Sequence, residues 1–178
     1  LNSSEWDNIL SQTKIRPVLI HDWHQHYWSP DVFENYESIL PWGDNYHGIS
    51  EEIFDYWTIA NKLLNKNRFS FISGTVLPGF DNRGCGGWGE GSAIGLTPRR
   101  NGEKFRATWN DVLKNKARFI QIATWNDFNE GGTIEPTREE ILNYDLPIRG
   151  YGYRELETVQ EYASKIKATK IDTMALRV

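Results

Sequence analysis

One cysteine and one methionine stand among 178 residues, and no apolar run comes near the ~18–20 residues a membrane-spanning helix needs. A lone Cys85 excludes an internal disulfide framework and any paired-cysteine metal motif. Positive charge is not in excess either. Twenty Lys+Arg face 24 Asp+Glu, for a net charge of -4, which argues against nucleic acid as an electrostatic partner. No Walker or dinucleotide glycine pattern precedes a helix, and the glycines between Gly84 and Gly91 are irregular and run into Glu90. The chain also lacks an initiator Met and a basic-plus-apolar leader, so it reads as a mature processed piece, an excised stretch or a fragment. The compartment is not legible in what is there; an extracytoplasmic one, secreted or periplasmic, is favoured.

What is abundant is aromatic: eight Trp, eight Tyr and eight Phe. Flat rings fill cores, and they also stack on sugars. The patterning reads as one domain over residues 1–178, with short apolar runs alternating with amphipathic stretches. Strands are expected at Arg16–His21, Tyr36–Leu40, Phe69–Leu77 and Arg118–Trp125. Helices are expected at Trp6–Gln12, Ser50–Asn65, Glu103–Lys114 and Tyr153–Lys167, the last with Leu156, Val159, Ala163 and Ile166 inward. Thr137-Arg138-Glu139-Glu140 has the form of a capping box opening a short helix. Phe80 to Asn101 reads as one long loop.

Strand, polar loop and helix in repetition predict a βα architecture with a parallel sheet. Ligands of such sheets bind beyond the carboxyl ends of the strands. Four strands fit this length, whereas a closed (β/α)8 barrel takes ~200–250 residues or more. The expectation is therefore an α/β chain of about four βα units, the C-terminal part of a (β/α)8 TIM barrel. The N-terminal half would be a separate or missing segment.

The strongest chemical signal is Thr124-Trp125-Asn126-Asp127-Phe128-Asn129-Glu130-Gly131-Gly132-Thr133-Ile134-Glu135-Pro136. Asp127 and Glu130 sit three apart just after a buried strand, a spacing that lets a tight loop turn both to one cavity. Glycoside cleavage needs such a pair, one carboxyl protonating the leaving oxygen and the other acting as base or nucleophile. A polar turn with solvated acids is the competing reading.

This segment resembles the signatures of glycoside hydrolase families 99 and 71, the endo-α-mannosidases/mannanases and the α-1,3-glucanases. The first reads Ser-Phe-Asn-Glu-Trp-His-Glu-Gly-Thr-Gln-Ile-Glu-Pro here, and the second Thr-Trp-Asn-Asp-Tyr-Gly-Glu-Ser. Thr124–Asp127 follows the glucanase pattern; Glu130-Gly131 and Ile134-Glu135-Pro136 follow the mannosidase one. Leu77-Pro78-Gly79-Phe80-Asp81-Asn82-Arg83 is similar to a Trp-Asp-Asn-Thr element of the WbsX-type proteins of polysaccharide loci. The resemblance spans roughly Asn67 to Leu156.

It implies a retaining, endo-acting hydrolase of an α-linked polysaccharide or glycan, with Asp127 and Glu130 catalytic. Glu130 takes the place of the family's general acid/base. Asp127 takes that of the carboxylate thought to deprotonate the sugar's own 2-hydroxyl, one methylene shorter than the mannosidase Glu. A WbsX-type glycosyltransferase-like protein and a non-catalytic carbohydrate-binding domain are the alternatives. No cofactor is implied.

Candidate substrate-binding residues are Trp125, Asn126 and Glu135 around the pair, Asp22, Trp23 and His24 after the first strand, Trp42 after the second, and Asp81, Asn82 and Arg83. For the last three, an Asx-turn with an arginine brace is the competing reading. Trp23, Trp42 and Trp88 suit a stacking platform or a core wedge equally. His21, His24 and His26 with Asp22 lie in one short loop without a distant fourth ligand, so no metal is expected. Trp57 and Trp109 read as core.

Overall fold

A computed structural model describes residues 3–23, 36–41, 50–88, 95–138 and 150–168. The expected features at His24, His26, Trp42, Glu139-Glu140 and the tail from Thr169 lie outside them. The chain divides into two compact units, Leu1–Val76 with Lys114–Ala123, and Leu77–Leu113 with Thr124–Val178.

The first unit holds α1 (Ser3–Ser11), β1 (Ile20–Trp23), β2 (Ser38–Pro41), α2 (Ser50–Asn65), β3 (Ser73–Val76) and the strand that follows residue 114, Phe119–Ile122. β1 pairs with β2, and β3 with Phe119–Ile122, both in parallel. β2 and β3 are joined by side chains: Ser73 Oγ donates to Ser38 Oγ at 2.9 Å, and the Thr75 hydroxyl donates to the Pro41 carbonyl. Ser38 meets Ser73 and Pro41 meets Thr75, so these strands also run the same way. The entries into the strands are staggered alike. The amides of Glu37, Ser70 and Arg118 each donate to a carbonyl at the preceding strand, those of Leu19, Glu37 and Ile72.

α2 forms where Ile53, Trp57, Ala60 and Leu64 recur at helical spacing. Its Tyr56, 1% exposed, places its hydroxyl between the carbonyls of Ile39 and Ser73, at 3.0 and 2.5 Å, so the helix is pinned where β2 meets β3. α2 stops in a Schellman motif. Asn67 sits in the left-handed region at φ 56, Arg68 N–H reaches the Leu63 carbonyl, and Asn67 N–H the Leu64 carbonyl.

The second unit holds a two-stranded antiparallel ribbon of β4 (Phe80–Asp81) and β5 (Leu96–Thr97), a 3-10 turn (Arg83–Trp88), α3 (Glu103–Lys114, apart from its last residue) and, after β6 (Phe119–Ile122) has passed through the first unit, α4 (Arg154–Ala168). α3 buries Phe105, Thr108, Trp109 and Val112. Trp109 stacks on Tyr162 of α4, ring centroids 5.3 Å apart and planes 15° from parallel. Among the described residues no helix is long and apolar enough to cross a membrane.

Several expectations shift. The first strand is Ile20–Trp23 rather than Arg16–His21, because the register with β2 begins at Ile20, while Val18 is 56% exposed and Pro17 has no amide to donate. Asp22 and Trp23 are thus strand residues, not loop residues. The fourth strand ends at Ile122, which leaves Trp125 outside it and 51% exposed. Phe80–Asn101 is not one loop, since it contains the β4–β5 ribbon. Thr137 bridges Gly152, and its hydroxyl accepts the Tyr151 amide at 2.8 Å; the short helix expected to follow it lies outside the described residues. On α4 the buried residues are Glu155, Thr158 and Tyr162, while Leu156, Val159, Ala163 and Ile166 are half-buried. Tyr162 is drawn in by Trp109, and Glu155 by two arginines.

Candidate active site

The two sequence motifs follow directly on paired parallel strands. Leu77–Arg83 continues from β3, and Thr124–Pro136 begins just past β6. Both belong to the second unit.

Thr124–Glu135 closes on itself. Thr124 N–H donates to the Gly132 carbonyl at 2.8 Å, and Ile134 N–H returns to the Thr124 carbonyl at 3.0 Å. The Trp125 carbonyl gathers the amides of Ile134 and Glu135, at 3.1 and 2.8 Å, and the Thr133 hydroxyl at 2.6 Å. The tip between these closures carries the acids. The Asp127 amide donates to Thr124 Oγ1, and the Asp127 carboxylate accepts the Glu130 amide, each at 3.2 Å. Asp127 and Glu130 are therefore held in one turn, both half-buried, with one carboxylate ordering the backbone of the other. Asn126, Trp125 and Phe128 are exposed, and Glu135 is half-buried.

The second motif docks on the first. Asp81 N–H donates to the Glu130 carbonyl at 2.7 Å. Gly131 follows in the left-handed region at φ 62, and a Cβ there would lie 3.3 Å from the Asp81 nitrogen. Glycine is the residue that accepts both the angle and the approach. Around Asp81 the geometry is an Asx-turn with an arginine brace. Arg83 N–H donates to Asp81 Oδ1 at 3.2 Å, and its guanidinium grips Oδ1 and Oδ2 at 2.8 Å each. The Arg83 side-chain hydrogen bond holds the Asp81 carboxyl below the ordinary carboxylate range, against a smaller upward push from burial. Asn82 is buried, and its side-chain oxygen accepts the Gly95 amide at 2.8 Å. Cys85 donates to the Asn82 carbonyl.

The structure thus brings Asp81, Asn82 and Arg83 together with Asp127, Glu130 and Gly131. Asp22 and Trp23 are placed by backbone alone, at the end of β1, in the other unit.

One group of residues escaped the sequence reading. Arg99 inserts its guanidinium beneath the acid loop, donating to the carbonyls of Gly131 and Thr133 at 2.8 and 2.6 Å and to Glu155 Oε1 at 3.2 Å. It lies 4.2 Å above the Tyr151 ring, and the Tyr151 hydroxyl reaches the carbonyls of Thr133 and Glu135 at 3.0 and 2.7 Å. Arg154 bonds Glu155 Oε1 from the other side at 3.0 Å. A fully buried carboxylate between two guanidiniums offsets its desolvation. The available signal was Glu155 on the Thr158–Tyr162 face of α4, an acid in register with a buried stripe.

No family model and no curated protein sequence matches this chain. Solved structures do. A GH99 endo-α-mannosidase from Bacteroides thetaiotaomicron in complex with bis-tris propane superposes with a TM-score of 0.66 at 14% identity, over 85% of this chain and 47% of that one. A second structure of a GH99 endo-α-mannosidase from that organism gives 0.50 at 18% identity, over 73% and 39%. A glycoside hydrolase-like protein gives 0.55 at 17%, over 82% and 43%. The chain spans less than half the length of each. At these identities the likeness establishes the fold: a mixed α/β, glycosidase-like fold similar to that of the GH99 enzymes.

Proposed function

We propose that this chain is the C-terminal part of a (β/α)8 glycoside hydrolase that cleaves an α-linked polysaccharide or glycan at internal positions with retention. The observation that carries the reading is the turn in which the Asp127 carboxylate binds the Glu130 amide, since it anchors both acids in one self-closed loop just past a parallel strand. The likeness to endo-α-mannosidase structures and the same-sense strands β1, β2, β3 and β6 support it.

In this reading Glu130 protonates the departing glycosidic oxygen while Asp127 accepts the proton of the sugar's 2-hydroxyl. The freed oxygen attacks the anomeric carbon, the glycosidic bond breaks, and an anhydro sugar results. Water then opens it, giving its proton to Glu130, and Asp127 returns its proton to the 2-oxygen. Two inversions at one carbon leave the configuration retained. Exposed Trp125 and Phe128 offer apolar faces to sugar rings beside the acids.

The test is a panel of α-mannans, α-1,3-glucan and nucleotide sugars, incubated with the protein that carries this chain and with its Glu130→Gln variant. Internal cleavage of an α-glycan by the wild type, with an α-configured product by NMR and loss of ~10²-fold or more in the variant, is the expected result. Transfer from a nucleotide sugar, or glycan binding without turnover, would replace this reading with a transferase or a binding domain.

A further inference from the structure

Glu130 is fixed through its backbone on three sides. Its amide is held by Asp127, its carbonyl by the Asp81 amide, and the next carbonyl, that of Gly131, by Arg99. The first two restraints come from the motifs themselves. The third comes from outside them and continues downward: Arg99 also binds the Thr133 carbonyl, rests on the Tyr151 ring and is neutralised by Glu155. The Tyr151 hydroxyl holds the Thr133 and Glu135 carbonyls, on the returning arm of the loop.

We propose that Arg99, Tyr151 and Glu155 are positioning residues for the acid loop, setting the direction of the Glu130 carboxyl without touching the substrate; this rests on the catalytic reading of Glu130. The chemistry of the contact explains the residue types. Two carbonyls and a carboxylate around one side chain need donors diverging in a plane, which a guanidinium has and an ammonium does not. A flat aromatic ring beneath accepts the guanidinium face. Glu155, 0% exposed, supplies the counter-charge without which a cation 21% exposed would carry an uncompensated desolvation cost. Gly79 leaves room for this cation, since a Cβ there would lie 2.7 Å from Arg99 Cγ. The effect on rate is geometric. A reacting group displaced by 1 Å loses ~10²-fold, so loosening the loop lowers kcat while leaving the exposed sugar contacts, and hence KM, nearly unchanged.

The experiment compares wild type, Arg99→Lys, Arg99→Ala and Tyr151→Phe in the protein carrying this chain, by melting temperature, kcat and KM on the glycan that the wild type cleaves, and hydrogen exchange of the Thr124–Glu135 peptide. Tyr151→Phe keeps the ring and deletes only the hydroxyl, so it remains informative if the arginine variants fail to fold. Expected are kcat reductions of ~10- to 100-fold with KM within about twofold, faster exchange confined to that peptide, and partial recovery of Arg99→Ala by added guanidinium ion. Folded variants with wild-type kcat and wild-type exchange in the loop would overturn the proposal. If the wild type cleaves no glycan, the catalytic reading fails, and unchanged exchange in Tyr151→Phe still decides against the positioning role.

Discussion

The amide of Asp81 donates to the carbonyl of Glu130 across 2.7 Å, joining two segments that lie 49 positions apart in the sequence. Neither residue needs its side chain for this bond. The Asp81 side chain is engaged by Arg83 instead. The contact is possible because Gly131 presents no Cβ to the approaching Asp81 backbone.

Gly131→Ala is accordingly expected to destabilise the protein and to slow it. The left-handed angle costs about 1–2 kcal/mol for a residue with a Cβ, and the new methyl presses on the Asp81 nitrogen at 3.3 Å. Gly132→Ala is the control. Its nearest neighbours would be 3.7 Å away, at ordinary contact, and its φ is not positive. Urea denaturation of both variants checks the contrast, and equal losses would remove the special role of Gly131.

The Trp109–Tyr162 stack ties α3 to α4 and supports the helix that supplies Glu155. Trp109→Ala should cost about 3–5 kcal/mol, as large aromatic truncations in a core do. Trp109→Phe should cost much less. Among the described residues the indole N–H of Trp109 is buried without a hydrogen-bond partner. Deleting an unpaired donor recovers part of the ~1–3 kcal/mol that such a group costs. Denaturant titration of the two variants measures the difference. A phenylalanine variant as unstable as the alanine one would mean that the nitrogen does have a partner.

The Asp81–Arg83 pair makes a prediction about acid. Asp81 titrates below the ordinary range when folded, chiefly through its side-chain bond to Arg83. Its contribution to stability is then fully present above the unfolded carboxylate value of about 4 and is lost as pH falls through the lower folded value. The side chains are 38% and 57% exposed, so solvent screening keeps the effect small. Arg83→Met should move the Asp81 carboxyl upward in an NMR titration. The stability gap between wild type and variant should be present at pH 7 and close in strong acid. An unmoved Asp81 titration would show that the brace is not what lowers it.

The parts of this architecture legible in the sequence are those set by local periodicity. α2 and α3 fall at Ser50–Asn65 and Glu103–Lys114, where amphipathic spacing and polar starts coincide. Strand positions were legible but their limits were not, since the ladder, not the apolar run, decides where a strand ends. Thus β3 and β6 take four residues each from longer runs. The β4–β5 ribbon pairs Phe80 with Thr97 across an intervening stretch whose sequence has no hairpin signature. The acid loop could be located because its acids and glycines are contiguous. Its support could not, because Arg99 gains its meaning only from Glu155 and Tyr151, more than fifty residues further on.

The sharpest question concerns Asp127, whose carboxylate has two readings that the same atoms satisfy. As a turn residue it accepts the Glu130 amide at 3.2 Å. As a base it receives a proton from substrate. Asparagine separates them. Its side-chain oxygen can accept the same amide, so Asp127→Asn should keep the turn and stay within about 0.5 kcal/mol of wild type, but it cannot take up a proton. Asp127→Ala loses both functions and should be destabilised by about 1 kcal/mol as well. If the carboxylate is the base, both variants lose ~10²–10⁴-fold in kcat while only alanine lowers the melting temperature. If it is a cap and nothing more, asparagine retains wild-type turnover and alanine alone is impaired. Melting curves together with turnover of the α-glycan found for the wild type place each variant in one column or the other. Full activity in Asp127→Asn would leave Glu130 without its proposed partner.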